Sequence, residues 1–225
     1  MTDTATTDAI PHAGMDLFEA IYTTRAMRRL KPDPIPNELI RAILEAAVRA
    51  PSGGNQQGWA FVVVRDPELR AGLQRIYQPC IESLFQPGGR YARLLESDDP
   101  QTARQARRLR DSALWLGEHL HEVPVIVVAC LHTGGRPTDL ATGSSIYPAV
   151  QNLMLAARAF GIGTTLTTIH RLRQDEVRAL LGIPETVETA ALIPMGYPHG
   201  RWGVARRRPA AEVAFADRWG QPLFR

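Results

Sequence analysis

A chain of 225 residues, 44% hydrophobic and 22% charged, is long enough for one large domain or two small ones with a sizeable core. A formal net charge of +3 makes no case for nucleic acid, and with Lys31 as the only lysine, Schiff-base chemistry lacks a suitable nucleophile. Two cysteines, Cys80 and Cys130, are too few for a zinc or iron–sulfur framework and suit reduced thiols in a cytosol.

The first fourteen residues are polar, rich in Thr and Asp, and read as a flexible N-terminal tail without a secretory leader. No apolar run reaches about 18 residues, so no membrane span is expected and the location implied is cytoplasmic. Residues 15–24 read as a short helix with Leu17, Phe18 and Ile21 on one side. Residues 31–36, Lys-Pro-Asp-Pro-Ile-Pro, form a rigid extended connector. From Asn37 to Arg49, Leu39, Ile40, Ile43, Leu44 and Ala47 recur at helical spacing. Trp59 to Val64 is a strand, and Pro67 to Tyr77 a helix capped by Asp66.

Residues 78–101 are rich in Gly, Pro, Arg and Asp, with weak periodicity, and read as a loop or lid. Thr102 to His121 is a long helix with a basic outer face, and Val123 to Cys130 a strand buried on both faces. An irregular stretch, His132 to Thr142, precedes a helix from Ser144 to Phe160, where Ser144 and Ser145 read as helix-start residues. Gly161 and Gly163 end that helix before a short strand, Thr164 to Thr168. A helix from Arg173 to Leu181 and a strand from Thr189 to Met195 follow, closed by Gly196-Tyr197-Pro198. No internal repeat or domain linker is visible, so residues 15–225 read as one domain.

Two features point beyond a monomer. Apolar residues surround most of the 144–160 helix, which therefore needs cover on nearly all sides, from the domain centre or a subunit interface. The tail after Pro209 carries Val213, Phe215, Trp219 and Phe224 but is too short to fold alone. It is expected to pack across another surface, that of its own domain or of a partner subunit.

Four segments carry candidate chemistry. In Arg25-Ala26-Met27-Arg28, two arginines three apart at a helix end either fork onto a phosphate or form a solvated basic patch. Ala50 to Trp59 joins a helix to a strand through Pro51, Ser52, two glycines, Asn55 and Gln57, which suits a binding loop or a plain helix stop. Gly161 to Thr168 lacks the helix and third glycine of a dinucleotide fingerprint; its threonines suit a strand, or a strand edge presenting hydroxyls and amides to a ring. Arg206-Arg207-Arg208-Pro209 is a solvated charge run or a second phosphate clamp. Glu118 to Glu122 is no metal site, because its two histidines point apart on a helix.

These segments, in this order, resemble the nitroreductase family of flavin mononucleotide enzymes. Arg25 to Arg28 matches its basic first segment, and Ala50 to Trp59 its A-P-S-x-x-N-x-Q-P-W loop with one change. Gln151 to Gly163 matches its Q-N-L-x-L-A-A helix ending in G-x-G, and Gly196-Tyr197-Pro198 with Arg207 matches its C-terminal pattern. The order of the second half looks closest to the branch containing iodotyrosine deiodinase. That branch's acidic, tyrosine and lysine clamp is not found in residues 78–101, which speaks against its specific activity. Ala26 stands where the flavin-cleaving branch carries Asp, which speaks against that activity too.

The resemblance implies an α+β fold, with a mainly antiparallel central sheet flanked by helices, assembled as an intertwined homodimer with the C-terminal tail on the partner. It implies FMN at the subunit interface. Arg25, Ala26, Met27 and Arg28 would form its basic cradle, with Arg25, Arg28 and Arg207 at the phosphate. Pro51, Ser52, Asn55 and Gln57 would line the cofactor from one side, and Pro148 would pack near the ring from the other subunit. Leu166, Thr167 and Thr168 would face the N5 and O4 edge, with a hydroxyl of Thr168 or Thr167 tuning N5. Ala26 replaces the usual Ser, Gly58 the usual Pro, and Leu30 a usual aromatic. The activity implied is ping-pong transfer of electrons from NADH or NADPH through FMN to a small oxidised acceptor such as a nitroaromatic or quinone, with no catalytic side chain assigned. A flavin storage, sensing or delivery protein is the alternative.

Overall fold

The computed structural model describes residues 13–224; residues 1–12 of the expected N-terminal tail and Arg225 lie outside the described residues. The helices are α1 (Leu17–Thr23), α2 (Asn37–Ala47), α3 (Pro67–Ser83), α4 (Ala92–Leu95), α5 (Pro100–His119), α6 (Leu140–Gly143), α7 (Tyr147–Ala159) and α8 (Gln174–Leu181). The strands are β1 (Trp59–Val64), β2 (Val125–His132), β3 (Gly163–Thr164) and β4 (Val187–Gly196). They form one antiparallel sheet in the order β1-β2-β4-β3.

The apolar run of β2 follows from its central place. Val128 pairs with Val62 on one side and Leu192 on the other. Successive side chains of a strand point to opposite faces. Val125, Val127, Ala129 and Leu131 pack with Ile40, Ile43, Val150 and Leu153 of α2 and α7. Ile126, Val128 and Cys130 pack with Leu73, Tyr77, Ile81 and Leu116 of α3 and α5. The sheet is thus sandwiched between two helical layers, and both free cysteines are buried.

Carboxylates set several helix starts. Asp16, Asp66 and Asp99 each accept from two amides of the first turn, and Pro67 and Pro100 occupy positions where no amide is needed. The Asp99 cap moves the start of α5 two residues ahead of the expected Thr102. α3 continues beyond Tyr77 to Ser83 with Pro79 inside. Proline removes one helical hydrogen bond there, but Tyr77, Cys80 and Ile81 bury against neighbouring elements and hold the turn together. The expected lid at 78–101 is therefore partly helix, with α4 and a chain of turns after it.

α7 starts at Tyr147, with Pro148 in its first turn, and not at Ser144. Within one chain α7 buries Ala149, Val150, Leu153 and Ala157, while Gln151 is exposed and Pro148, Met154 and Leu155 are half-buried. One side of the helix is left open. The tail turns on itself at the surface: Phe215 bridges Pro222, and its ring lies 4.9 Å from that of Trp219, which is 91% exposed.

The expected strand over Thr164–Thr168 pairs regularly at Gly163 and Thr164 alone. The chain then bulges, exposing Leu166, and returns at Thr167, which bridges Leu192 before a 3₁₀ turn over Ile169–Arg173. Gly161 takes φ +73° just past α7, the left-handed position that favours glycine. Gly163 serves a different purpose. A Cβ there would lie 3.0 Å from both Met27 Cβ and Leu30 Cδ2, and one on its partner Gly196 would lie 3.1 Å from Leu30 Cβ. The missing side chains let residues 27–31 cross closely over the end of the sheet.

Candidate functional site

That crossing fixes the basic segment. The Met27 amide donates to Thr164 O at 2.9 Å, the Lys31 amide to Tyr197 O at 2.7 Å, and the His199 amide to Arg29 O at 3.0 Å. Met27 and Leu30 are buried, so the intervening side chains diverge. α1 ends at Thr23, so Arg25 and Arg28 lie on extended chain rather than on one helical face. They line different cavities.

One cavity, about 450 Å³, is lined by Arg25, Ala26, Arg207, Gln151 and Thr164 together with Thr165 and Leu166. Arg25 Nη2 donates to Arg201 O at 2.7 Å, and Arg207 Nη1 to Arg206 O at 2.9 Å. Among the described residues, these carbonyl partners leave both guanidinium charges without an anion. Guanidinium forks match the geometry of phosphate oxygens. The second cavity, about 620 Å³, shares Thr165 and Leu166 as a wall and holds Arg28, Tyr77, Tyr91, Thr167 and Thr168. Arg28 Nη1 donates to Ser112 Oγ at 3.3 Å. Burial lowers the guanidinium pKa of Arg28, an effect opposed by the nearby Tyr77 and Tyr91.

The two threonines separate here. Thr167 is buried, and Tyr77 Oη lies 3.2 Å from its Oγ1. Burial raises the Tyr77 pKa, keeping the phenol protonated and able to donate to Thr167. Thr168 is exposed to the cavity. The turn after it is anchored by His170, fully buried, whose Nε2 lies 3.2 Å from both Thr189 O and Thr189 Oγ1. The Thr189 hydroxyl donates to Gln174 Oε1 at 2.9 Å, so Nε2 carries the imidazole proton. Burial pushes the His170 pKa down to about 4 and the ring is neutral.

The Pro51–Gln57 loop stands apart, in a groove with His132, Arg136 and Ser145. Gly54, Asn55 and Gln57 have φ of +58°, +53° and +50°. Asn tolerates this region and Gln does so less readily. The Gln57 amide donates to Ser52 Oγ at 3.0 Å, Gln57 Nε2 to Asn55 Oδ1 at 3.1 Å, and the Gly53 amide to Ser145 Oγ at 3.1 Å. Ser145 thus ties the loop to the start of α7. The loop is thus held by its own polar groups in a backbone conformation that costs free energy. A single chain does not bring Pro51, Ser52, Asn55, Gln57 or Pro148 to the wall made by Arg25 and Leu166.

The model of the nitroreductase family matches residues 21–197, from α1 through the turn that follows β4. This chain belongs to that family. Among relatives of this nitroreductase-family chain, an NADH dehydrogenase of Thermus thermophilus is 29% identical over 209 residues, covering 88% of this chain and 95% of that protein. Iodotyrosine deiodinase 1 of Rattus norvegicus is 26% identical over 81% of this chain, and the match covers 62% of the deiodinase. An oxidised iodotyrosine deiodinase bound to FMN and 3-iodo-L-tyrosine superposes with a TM-score of 0.67 at 24% identity, covering 86% and 96% of the two chains. A nitroreductase with bound FMN from Desulfitobacterium hafniense DCB-2 gives 0.63 at 21% identity, covering 90% and 100%. Both structures share the nitroreductase fold. Among the described residues, no helix of this chain is long and apolar enough to cross a membrane.

Sequence reasoning missed the second cavity as a unit. Ile76, Tyr77, Cys80, Ile81 and Leu84 do repeat at helical spacing across Pro79, which was the signal that the lid region begins as helix.

Proposed function

We propose that this chain is an FMN-dependent NAD(P)H oxidoreductase that works by a ping-pong cycle on a small oxidised acceptor. One observation carries the reading: Arg25 and Arg207 converge with Thr164 and Leu166 on one cavity, and the same Thr165–Leu166 stretch walls the next. A ligand with a dianionic tail and a flat ring fits that pairing. Arg25 and Arg207 would hold the phosphate, the backbone at Ala26 and Met27 its approach, and Leu166 and Thr168 the ring edge. Arg28, in the second cavity, is assigned to the ring end rather than to the phosphate.

When bound, FMN would accept a hydride from nicotinamide and return electrons to the acceptor. Arg28 would place positive charge beside the ring, and the cavity walls would orient the reactants against it. Thr168, with a hydroxyl not taken by Tyr77, is the residue assigned to tune the ring edge.

The site is completed, in this reading, by a second copy. The open side of α7 and the exposed Leu17, Phe18 and Tyr22 of α1 are surfaces a partner would cover. The partner would bring Pro51, Ser52, Asn55, Gln57 and Pro148 to the ring. Anaerobic mixing of the flavin-loaded protein with NADH or with NADPH tests the function. Rapid bleaching of the flavin colour, restored by a nitroaromatic or quinone, is the expected result. A bound flavin that neither nucleotide reduces overturns the enzymatic reading and leaves a storage or sensing protein.

A further inference from the structure

The larger cavity has an unbalanced charge. Among the described residues its ionised lining is Arg28, Arg90 and Arg171, with no carboxylate. Arg171 is paired with Glu188, Nη2 to Oε2 at 3.4 Å. Arg28 has the Ser112 hydroxyl, and Arg90 lies 5.6 Å from the centre of the Tyr91 ring. A hydroxyl and a ring face do not neutralise guanidinium groups, so two positive charges face this space without an anion. Holding Arg28 charged there is costly, as the lowered basicity of its half-buried side chain shows.

The rest of the wall is aromatic and aliphatic. Tyr77, Phe85 and Tyr91 contribute rings, with Phe85 and Tyr91 at 5.6 Å between centroids and tilted by 33°. At about 620 Å³ the space suits a small organic molecule. Residues 84–91, which carry Phe85, Arg90 and Tyr91, are also the part of the chain that the cofactor reading leaves unused.

We propose that this cavity selects an aromatic acid: a ring seated against Phe85 and Tyr91, with its carboxylate drawn to the uncompensated guanidinium of Arg90, while Arg28, deeper in the cavity wall, adds to the positive field and stays with the flavin ring. The inference rests on the oxidoreductase reading in one respect, that the bound acid is the electron acceptor. Binding itself does not depend on it. Arg90 is exposed and lies outside the residues assigned to the flavin, so it is the position to vary.

The experiment is calorimetric titration of the purified protein, as isolated, with 4-nitrobenzoate and with the neutral, near-isosteric 4-nitrobenzamide. The wild type is expected to bind the benzoate about tenfold more tightly. Arg90→Ala is expected to abolish most of that preference with unchanged melting temperature, and Arg90→Lys to keep part of it. Equal affinity for the two probes, no binding of either, or a preference untouched by Arg90→Ala overturns the proposal. Flavin absorbance of the same samples reports on the functional reading separately. A yellow protein that does not discriminate refutes the aromatic-acid site, whereas a protein that discriminates but takes up no flavin from an excess of added FMN refutes the flavin reading and supports the anion site.

Discussion

Tyr77, on the helix that leads into the expected lid, holds its hydroxyl 3.2 Å from Oγ1 of Thr167, and this contact fixes the buried one of two adjacent threonines while the other stays unbonded to it. Both threonines line the larger cavity, Thr167 buried and bonded to Tyr77, Thr168 exposed. Thr168→Ala is expected to leave FMN affinity near normal and to change the yield of one-electron-reduced flavin in a redox titration. Thr167→Ala is expected to cost about 1 kcal/mol in denaturant unfolding, the usual worth of a buried hydrogen bond. Unchanged redox behaviour in Thr168→Ala would remove that residue from the ring edge.

Arg25 lines the smaller cavity with its charge unpaired and is exposed. Arg25→Ala is therefore expected to weaken FMN binding by roughly tenfold or more while the unfolding transition stays within about 0.5 kcal/mol of wild type. Equilibrium dialysis against FMN, paired with urea unfolding, checks both parts. Full flavin occupancy in the variant would show that the phosphate lies elsewhere.

Gly163 works through space, not conformation. A methyl group at this position would meet Met27 and Leu30 at 3.0 Å, and both belong to the segment that carries Arg25 and Arg28. Gly163→Ala is expected to cost about 1–3 kcal/mol, as overpacking does, and to loosen flavin retention with it. An unfolding midpoint equal to wild type would mean that the crossing is less tight than these distances imply.

His170 gives the fold an acid limit. Its pKa of about 4 lies below the ordinary value of 6.5, so the unfolded chain binds the extra proton first as pH falls. The contribution of the neutral ring to stability is whole above pH 6.5 and declines as pH falls from there toward 4, by up to about 3 kcal/mol. Urea unfolding of wild type and His170→Gln across that range measures it; the slope with pH is expected to shrink in the variant. An identical slope in both proteins would assign the acid sensitivity to other groups.

Much of the fold was legible because the long helices carry a clear period and the three longer strands are compact apolar runs. β1 was bounded correctly at Trp59–Val64, and the apolar run of β2 signalled burial on both faces. Pro79 masked the helix that continues to Ser83, because local chemistry marks a stop where tertiary packing overrides it. The threonine run was harder: β-propensity does not distinguish a paired residue from a bulged one, and the register of Thr167 depends on Leu192, distant in sequence. The site was legible as motifs but not as a place. Arg25 and Arg28 share a motif and face different cavities, because the buried Met27 and Leu30 pin extended chain over two glycines.

The central claim is that Arg25, Arg207 and the Thr164–Thr168 stretch build an FMN site. Titration of the purified protein, stripped of any bound cofactor, with FMN under flavin fluorescence measures it directly. The account predicts saturable quenching that ends at one FMN per chain. Fluorescence that rises linearly with added FMN, as it does in buffer, would contradict it.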